Sequence, residues 1–364
     1  MITFSNPKIN YLRNKTKINK NLLKVLNSGN YIGGKFVRSF ENNFARYLNV
    51  KNCIGVGNAT DAIYLSLRSL NIGSGDEVIT PSHTATGTVL AILNTGAKPS
   101  FVDIDEFNFN IDVSLIEKNI NKKTKAIIAV HLYGQSCDMN QILKISKRYK
   151  LPLIEDCSQS AGSKFQDKKL GSIGLIGCFS FFPTKNLPAL GDGGGLWLPN
   201  KKMKAKAESI RQYGWDQKRI VCTQDGMNSR LDEIQAVVLR IRLKDLKKDI
   251  LKRRNIANLY DVKLSDKFKI IHQASHQESS YHLYIIRVKN REKLISYMKK
   301  RDIFMGIHYY PSNHMNGILK SQDPNLKVTE KISKEVVSLP IFPELSKVKQ
   351  LDIIKHLNNF LDYN

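Results

Sequence analysis

The chain has 364 residues, 41% of them hydrophobic and 24% charged, the balance of a soluble globular protein long enough for two domains. Its formal net charge of +25 raises a nucleic-acid partner, but the lysines are spread along the chain and no Cys/His finger spacing occurs, so that class is set aside. No apolar run reaches the roughly 20 residues that span a bilayer, no signal peptide opens the chain, and the five cysteines include no CxxC pair, so a cytoplasmic protein with buried free thiols is expected.

In chain order, residues 15–27 predict a short amphipathic helix with Leu22, Leu23, Val25 and Leu26 on one side. A glycine turn at "YIGG" precedes helical spacing of Phe36, Phe40, Phe44 and Leu48. Strands then alternate with helices. "CIGVG", "DEVITPS", "PSFVDID", "TKAIIAVHLYG", "LPLIEDCSQS" and "LIGCFSFFP" read as strands, and "NATDAIYLSLRSL", "TGTVLAILNTG" and "MNQILKISKRYK" as helices. That alternation predicts an α/β fold with a mainly parallel sheet flanked by helices. Near residue 240 the pattern changes to one long Arg/Lys-rich helix, whose charge reads as a solvated face. A strand "YHLYIIRV" and two further helices follow. The division expected is a large α/β domain over 1–245, N-terminal segment included, and a smaller α+β domain over 246–364.

Four places where strands end and helices begin carry chemistry. At "GNATDA" a strand exits into a helix start, where backbone N–H groups and the Thr60 hydroxyl suit a phosphate, although the same residues make an ordinary cap. Neither GxGxxG nor GxxxxGK[ST] occurs there. Glu155 and Asp156 close an apolar strand, and one of them is expected to face the strand-end crevice, where a carboxylate needs a cationic partner. Ser180 and Lys185 follow another apolar strand and precede "GDGGG". A lysine held there loses hydration and becomes a usable nucleophile. The pair Lys185 and Asp156 supplies what pyridoxal phosphate needs, an amine for the Schiff base and an acid for the ring nitrogen. Finally, Asn228, Ser229 and Arg230 precede a helix start carrying Asp232 and Glu233, as the helix dipole favours.

The combination of "EDCSQ", "SFFPTKNLPALGDGG" and "NSRLDE", with matching stretches almost end to end, resembles the DegT/StrS-type nucleotide-sugar aminotransferases, which are fold-type I pyridoxal-phosphate enzymes. The resemblance implies that Lys185 holds the Schiff base and carries the proton, that Asp156 pairs with the pyridine nitrogen, and that Gln159 contacts the ring hydroxyl. Thr60 and Ser180, with the backbone at Ala59, would bind the phosphate. Asn228 would reach the phosphate of a neighbouring subunit, which makes a homodimer with shared sites. Arg230, His308 and Tyr309 would lie near the sugar nucleotide. Many relatives carry an aromatic residue at the position of Ala85 to stack on the cofactor, and His83 is the flat side chain available here.

The activity implied moves an amino group from L-glutamate to a nucleoside-diphosphate-linked keto-sugar, a 3-keto-6-deoxyhexose at carbon 3, with carbon 4 as the alternative. It belongs to amino-sugar synthesis of the kind that feeds lipopolysaccharide O-antigen. No metal, nucleic acid or membrane is implied. A non-catalytic regulator on the same fold is disfavoured by the intact Lys185–Asp156 pair. A sugar-nucleotide oxidoreductase is disfavoured by the missing dinucleotide fingerprint.

Overall fold

Seven strands form the central sheet of the computed structural model, which describes residues 1–271, 277–319 and 325–362. They are β1 (Ile54–Val56), β2 (Glu77–Pro81), β3 (Lys98–Val102), β4 (Thr124–Val130), β5 (Leu153–Asp156), β6 (Ile176–Ser180) and β7 (Gly194–Trp197). Their order is β1-β7-β6-β5-β4-β2-β3. The run from β3 to β6 is parallel. β7 lies antiparallel between β6 and β1 and begins with the last two glycines of "GDGGG". A Cβ at Gly194 would sit 2.4 Å from the Asn58 carbonyl, which leaves no room for a side chain.

Both faces of the sheet are buried, and side-chain alternation splits its strands between two apolar layers. Ile127 and Ala129 pack into one layer, and Ala126, Ile128 and Val130 into the other. The helix Lys35–Leu48 seals the first layer with Phe40 and Phe44, which meet Phe179 and Phe181 edge to face at 4.9–5.4 Å. The helix Lys15–Leu26 forms as expected, but it buries Ile18 and Val25 and leaves Leu23 and Leu26 exposed. Four cysteines are buried free thiols, whereas Cys222 is exposed.

The long helix runs from Glu233 to Lys263. Its Leu246 and Ile250 still pack into the large core, and its Ile256, Ala257 and Tyr260 into a separate core with the three-stranded sheet Lys269–Ile270, Tyr284–Arg287 and Val336–Leu339. A division between 245 and 246 therefore falls inside one helix. Its charge is not all solvated. Arg242 donates to the carbonyls of Pro188 and Ala189, and Arg253 to those of Tyr281, His282 and Ile341, both side chains buried. Glu233 stands in the first turn of this helix, as expected, and also reaches the start of a neighbouring one. It accepts from the N–H groups of Phe36 (2.9 Å) and Val37 (2.8 Å) and caps the neighbouring helix, which is why Gly34, whose added Cβ would meet that carboxylate at 2.8 Å, is a glycine. Among the described residues no helix is long and apolar enough to cross a membrane.

Candidate active site

A cavity of about 490 Å³ lies where β4, β5 and β6 end, between the large sheet and the loop through His308 and Tyr309. Of the residues expected to form a site, Ala59, Thr60, Asp156, Gln159, Ser180, Lys185, His308 and Tyr309 all line it.

One end is the start of the helix Ala59–Ser69. Asn58 caps it, accepting from the Asp61 N–H at 2.9 Å. Ser229 braces the same turn, accepting from the Gly57 N–H (2.9 Å) and donating to Asp61 (2.6 Å). Thr60 sits on the first turn beside Gly87, where an added Cβ would come within 2.5 Å of the Thr60 hydroxyl. The Ser180 hydroxyl, at the end of β6, closes this anion-favouring corner.

Asp156, the last residue of β5, lies on the cavity wall and is buried. It accepts from the hydroxyl of Thr88 (2.7 Å) and from both the N–H (3.0 Å) and the hydroxyl (2.6 Å) of Ser158. Glu155 points the other way, as alternation along a strand requires. It accepts from His131 and from the N–H groups of Gly171, Ile173 and Gly174. Those contacts make Glu155 an architectural carboxylate and Asp156 the one available to a ligand.

Lys185 lies in the loop after β6, half-buried as a residue. Burial of its amine lowers the pKa to about 8, against the opposing pull of the Asp156 carboxylate. Gln159 accepts from the Tyr133 N–H (2.8 Å) and donates to the Tyr309 hydroxyl (2.7 Å). His308 is held by the Ser338 hydroxyl at 2.8 Å, and burial, with the nearby Lys185 charge, pushes its pKa down to about 4. It is neutral at physiological pH.

Three expected residues fall elsewhere. His83 is fully buried and does not line the cavity; its Nε2 lies 2.7 Å from the Tyr133 hydroxyl. Ala85 is on the wall instead, so the structure does not give His83 a stacking position. The physical reason is the loop after β2, which turns Ala85 toward the cavity and His83 into the core. Asn228 is exposed and outside the cavity, and Arg230 lies over the Tyr213 ring at 5.6 Å. Sequence reasoning missed Thr88, Ser158, Phe4 and His282, which also line the cavity. Thr88 carried a faint signal, a hydroxyl two residues into a helix that opens just past a strand end.

The residues present fit pyridoxal phosphate. A helix start with two hydroxyls suits the phosphate, a buried carboxylate suits a cationic ring nitrogen, and an amine of lowered basicity stands beside them. Sheet and site together define a pyridoxal-phosphate-dependent transferase built on an α/β sheet.

The chain matches the family model "DegT/DnrJ/EryC1/StrS aminotransferase family" over residues 13–358. It is 40% identical to the dTDP-3-amino-3,6-dideoxy-alpha-D-galactopyranose transaminase of Aneurinibacillus thermoaerophilus, with 99% of each chain covered. Its structure resembles S. venezuelae DesV in complex with a ketimine intermediate at a TM-score of 0.96 and 34% identity, covering 99% of this chain and 98% of that one. It also resembles NtdA of Bacillus subtilis with bound cofactor PMP, at a TM-score of 0.90 and 29% identity over 96% of this chain and 82% of that one. The chain belongs to this aminotransferase family and is a pyridoxal-phosphate-dependent sugar aminotransferase.

Proposed function

We propose that the enzyme transfers the amino group of L-glutamate to the keto group at carbon 3 of a nucleoside-diphosphate-linked 6-deoxyhexose, in a cytoplasmic homodimer. The observation that carries the chemistry is that Lys185 and the Asp156 carboxylate line one cavity, where burial lowers the basicity of the amine. Burial thus raises the share of this amine that is neutral near physiological pH. A neutral amine can accept a proton, so Lys185 is the group that moves it.

Pyridoxal phosphate, when bound, supplies the electron sink that makes a carbon beside nitrogen acidic. The chain's residues do the rest. Thr60, Ser180 and the N–H groups at Ala59 and Thr60 hold the phosphate. Asp156, fixed by Thr88 and Ser158, keeps a positive charge on the ring nitrogen. Gln159 meets the ring hydroxyl. His308 and Tyr309, on the cavity wall, face the sugar.

Asn228 serves the partner subunit. In support, it stands exposed beside Ser229, which braces the phosphate-binding turn of its own chain. Carbon 3 is supported by the relative from Aneurinibacillus thermoaerophilus, whose name specifies a 3-amino sugar.

The purified enzyme should show an absorbance band at about 410–430 nm that disappears with borohydride. Lys185→Ala should lack both band and turnover. A panel of nucleotide-linked 3-keto and 4-keto sugars, assayed with glutamate, decides the position. Amination of 4-keto sugars alone would replace carbon 3 with carbon 4. No bleaching of the band by glutamate would remove it as the donor.

A further inference from the structure

Tyr133 is fully buried just past β4, with its backbone at φ +61°, a conformation uncommon for any residue but glycine. It makes two connections that together span the cavity wall. Its N–H donates to Gln159 Oε1 at 2.8 Å, and its hydroxyl donates to the carbonyl of His308. Gln159 in turn donates to the hydroxyl of Tyr309 at 2.7 Å. One side chain and one N–H thus tie β4 to the corner formed by His308 and Tyr309, which lies 175 residues away in sequence.

His83 stands behind Tyr133. Because the Tyr133 proton goes to a carbonyl, which cannot donate, His83 Nε2 must carry the hydrogen of the 2.7 Å contact between them. His83 Nδ1 is then a bare acceptor. It is buried with no hydrogen-bond partner among the described residues. Burial pushes the His83 pKa down to about 4, which keeps the ring neutral. An orphaned buried nitrogen is costly, and a residue needed only for packing would be apolar. The cost is explained if the Nε2–H has a task, namely to orient the Tyr133 hydroxyl.

The loop after β2 that carries His83 also holds the segment just beyond Tyr309 directly. The Asn313 amide donates to the carbonyls of Ser82 (3.0 Å) and Thr84 (2.8 Å), and the Ser82 hydroxyl lies 2.7 Å from His314 Nδ1.

We propose that Tyr133, oriented by His83, is a positioning residue that holds the His308–Tyr309 corner and Gln159 as one unit, fixing the spacing between the sugar side and the cofactor side of the site. This rests on the reading that His308 and Tyr309 face the sugar. Tyr133→Phe keeps the ring and the N–H and removes only the hydroxyl. A net hydrogen bond of this kind is worth roughly a factor of 5–10 in a local opening equilibrium.

The test uses the holoenzyme and hydrogen–deuterium exchange. In Tyr133→Phe, exchange over residues 304–311 should rise about 5- to 10-fold, with other segments unchanged. The pH midpoint of the cofactor band should move by about 0.3 or more, because Gln159 loses its fixed partner at Tyr309. His83→Gln, which restores a donor, should stay near wild type in both measurements, whereas His83→Phe should follow Tyr133→Phe. Exchange over 304–311 equal to wild type, or a rise spread over the whole chain, or an unmoved midpoint, would each overturn the proposal. So would His83→Phe behaving as wild type. Failure of the functional reading is seen separately, as a wild-type enzyme whose band glutamate does not bleach.

Discussion

Replacing Lys185 with Met in the enzyme freed of its cofactor should make the fold more stable, by an amount that depends on pH in a defined way. Burial lowers the Lys185 amine from 10.5 to about 8. At about 1.36 kcal/mol per pH unit, that difference is about 3 kcal/mol of penalty for carrying the charged amine in the folded state. Below pH 8 both folded and unfolded chains hold the proton, and the penalty is present in full. Between pH 8 and 10.5 the unfolded chain binds more protons, so the native enzyme gains stability as pH rises. Above 10.5 the penalty has gone. Methionine has a similar length and no charge. The variant should therefore exceed wild type by about 3 kcal/mol at pH 7, and the gap should close towards pH 10.5. Urea unfolding of both proteins at half-unit pH intervals measures the gap directly, and groups common to both cancel. A gap that stays constant from pH 7 to pH 10 would refute the reasoning, because it would show that the Lys185 amine titrates at its ordinary value.

Asp156→Asn should lower the Lys185 pKa below about 8, since the carboxylate that pulls it upward is lost, and should slow glutamate-driven bleaching of the cofactor band by about 10²-fold or more; an unchanged bleaching rate would take Asp156 out of its role. Gly87→Ala brings a methyl carbon within 2.5 Å of the Thr60 hydroxyl and forces it aside, so equilibrium dialysis should show cofactor affinity falling about tenfold, with little loss of thermal stability. Mixing Lys185→Ala subunits with Asn228→Ala subunits should restore activity above either parent, because one site of each hybrid dimer then carries neither defect; no recovery in mixtures shown to exchange subunits would confine Asn228 to its own chain.

The sequence by itself determined most strands and helices of the large sheet and the end of that sheet where the candidate site residues gather. Strand and helix identity follow from short-range patterning, and polar residues that close apolar strands, such as Asp156 and Ser180, fall at the strand-end crevice of a parallel sheet. What lay beyond it were the pairings made across the fold. Nothing local says that Glu155 rather than Asp156 turns to the N–H groups of Gly171, Ile173 and Gly174; that depends on which face of β5 meets the following loop. The lysine- and arginine-rich stretch reads as solvated until Arg242 and Arg253 are seen capping carbonyls of other segments. His83 looked available to the cofactor because flatness is legible in a residue type and direction is not. Its ring turns into the core to meet Tyr133, 50 residues on, and only the packed chain brings those two together. Side-chain direction at a loop is set by the sum of such long-range contacts, so it became definite only once β2, β4 and the His308 loop had closed on one another.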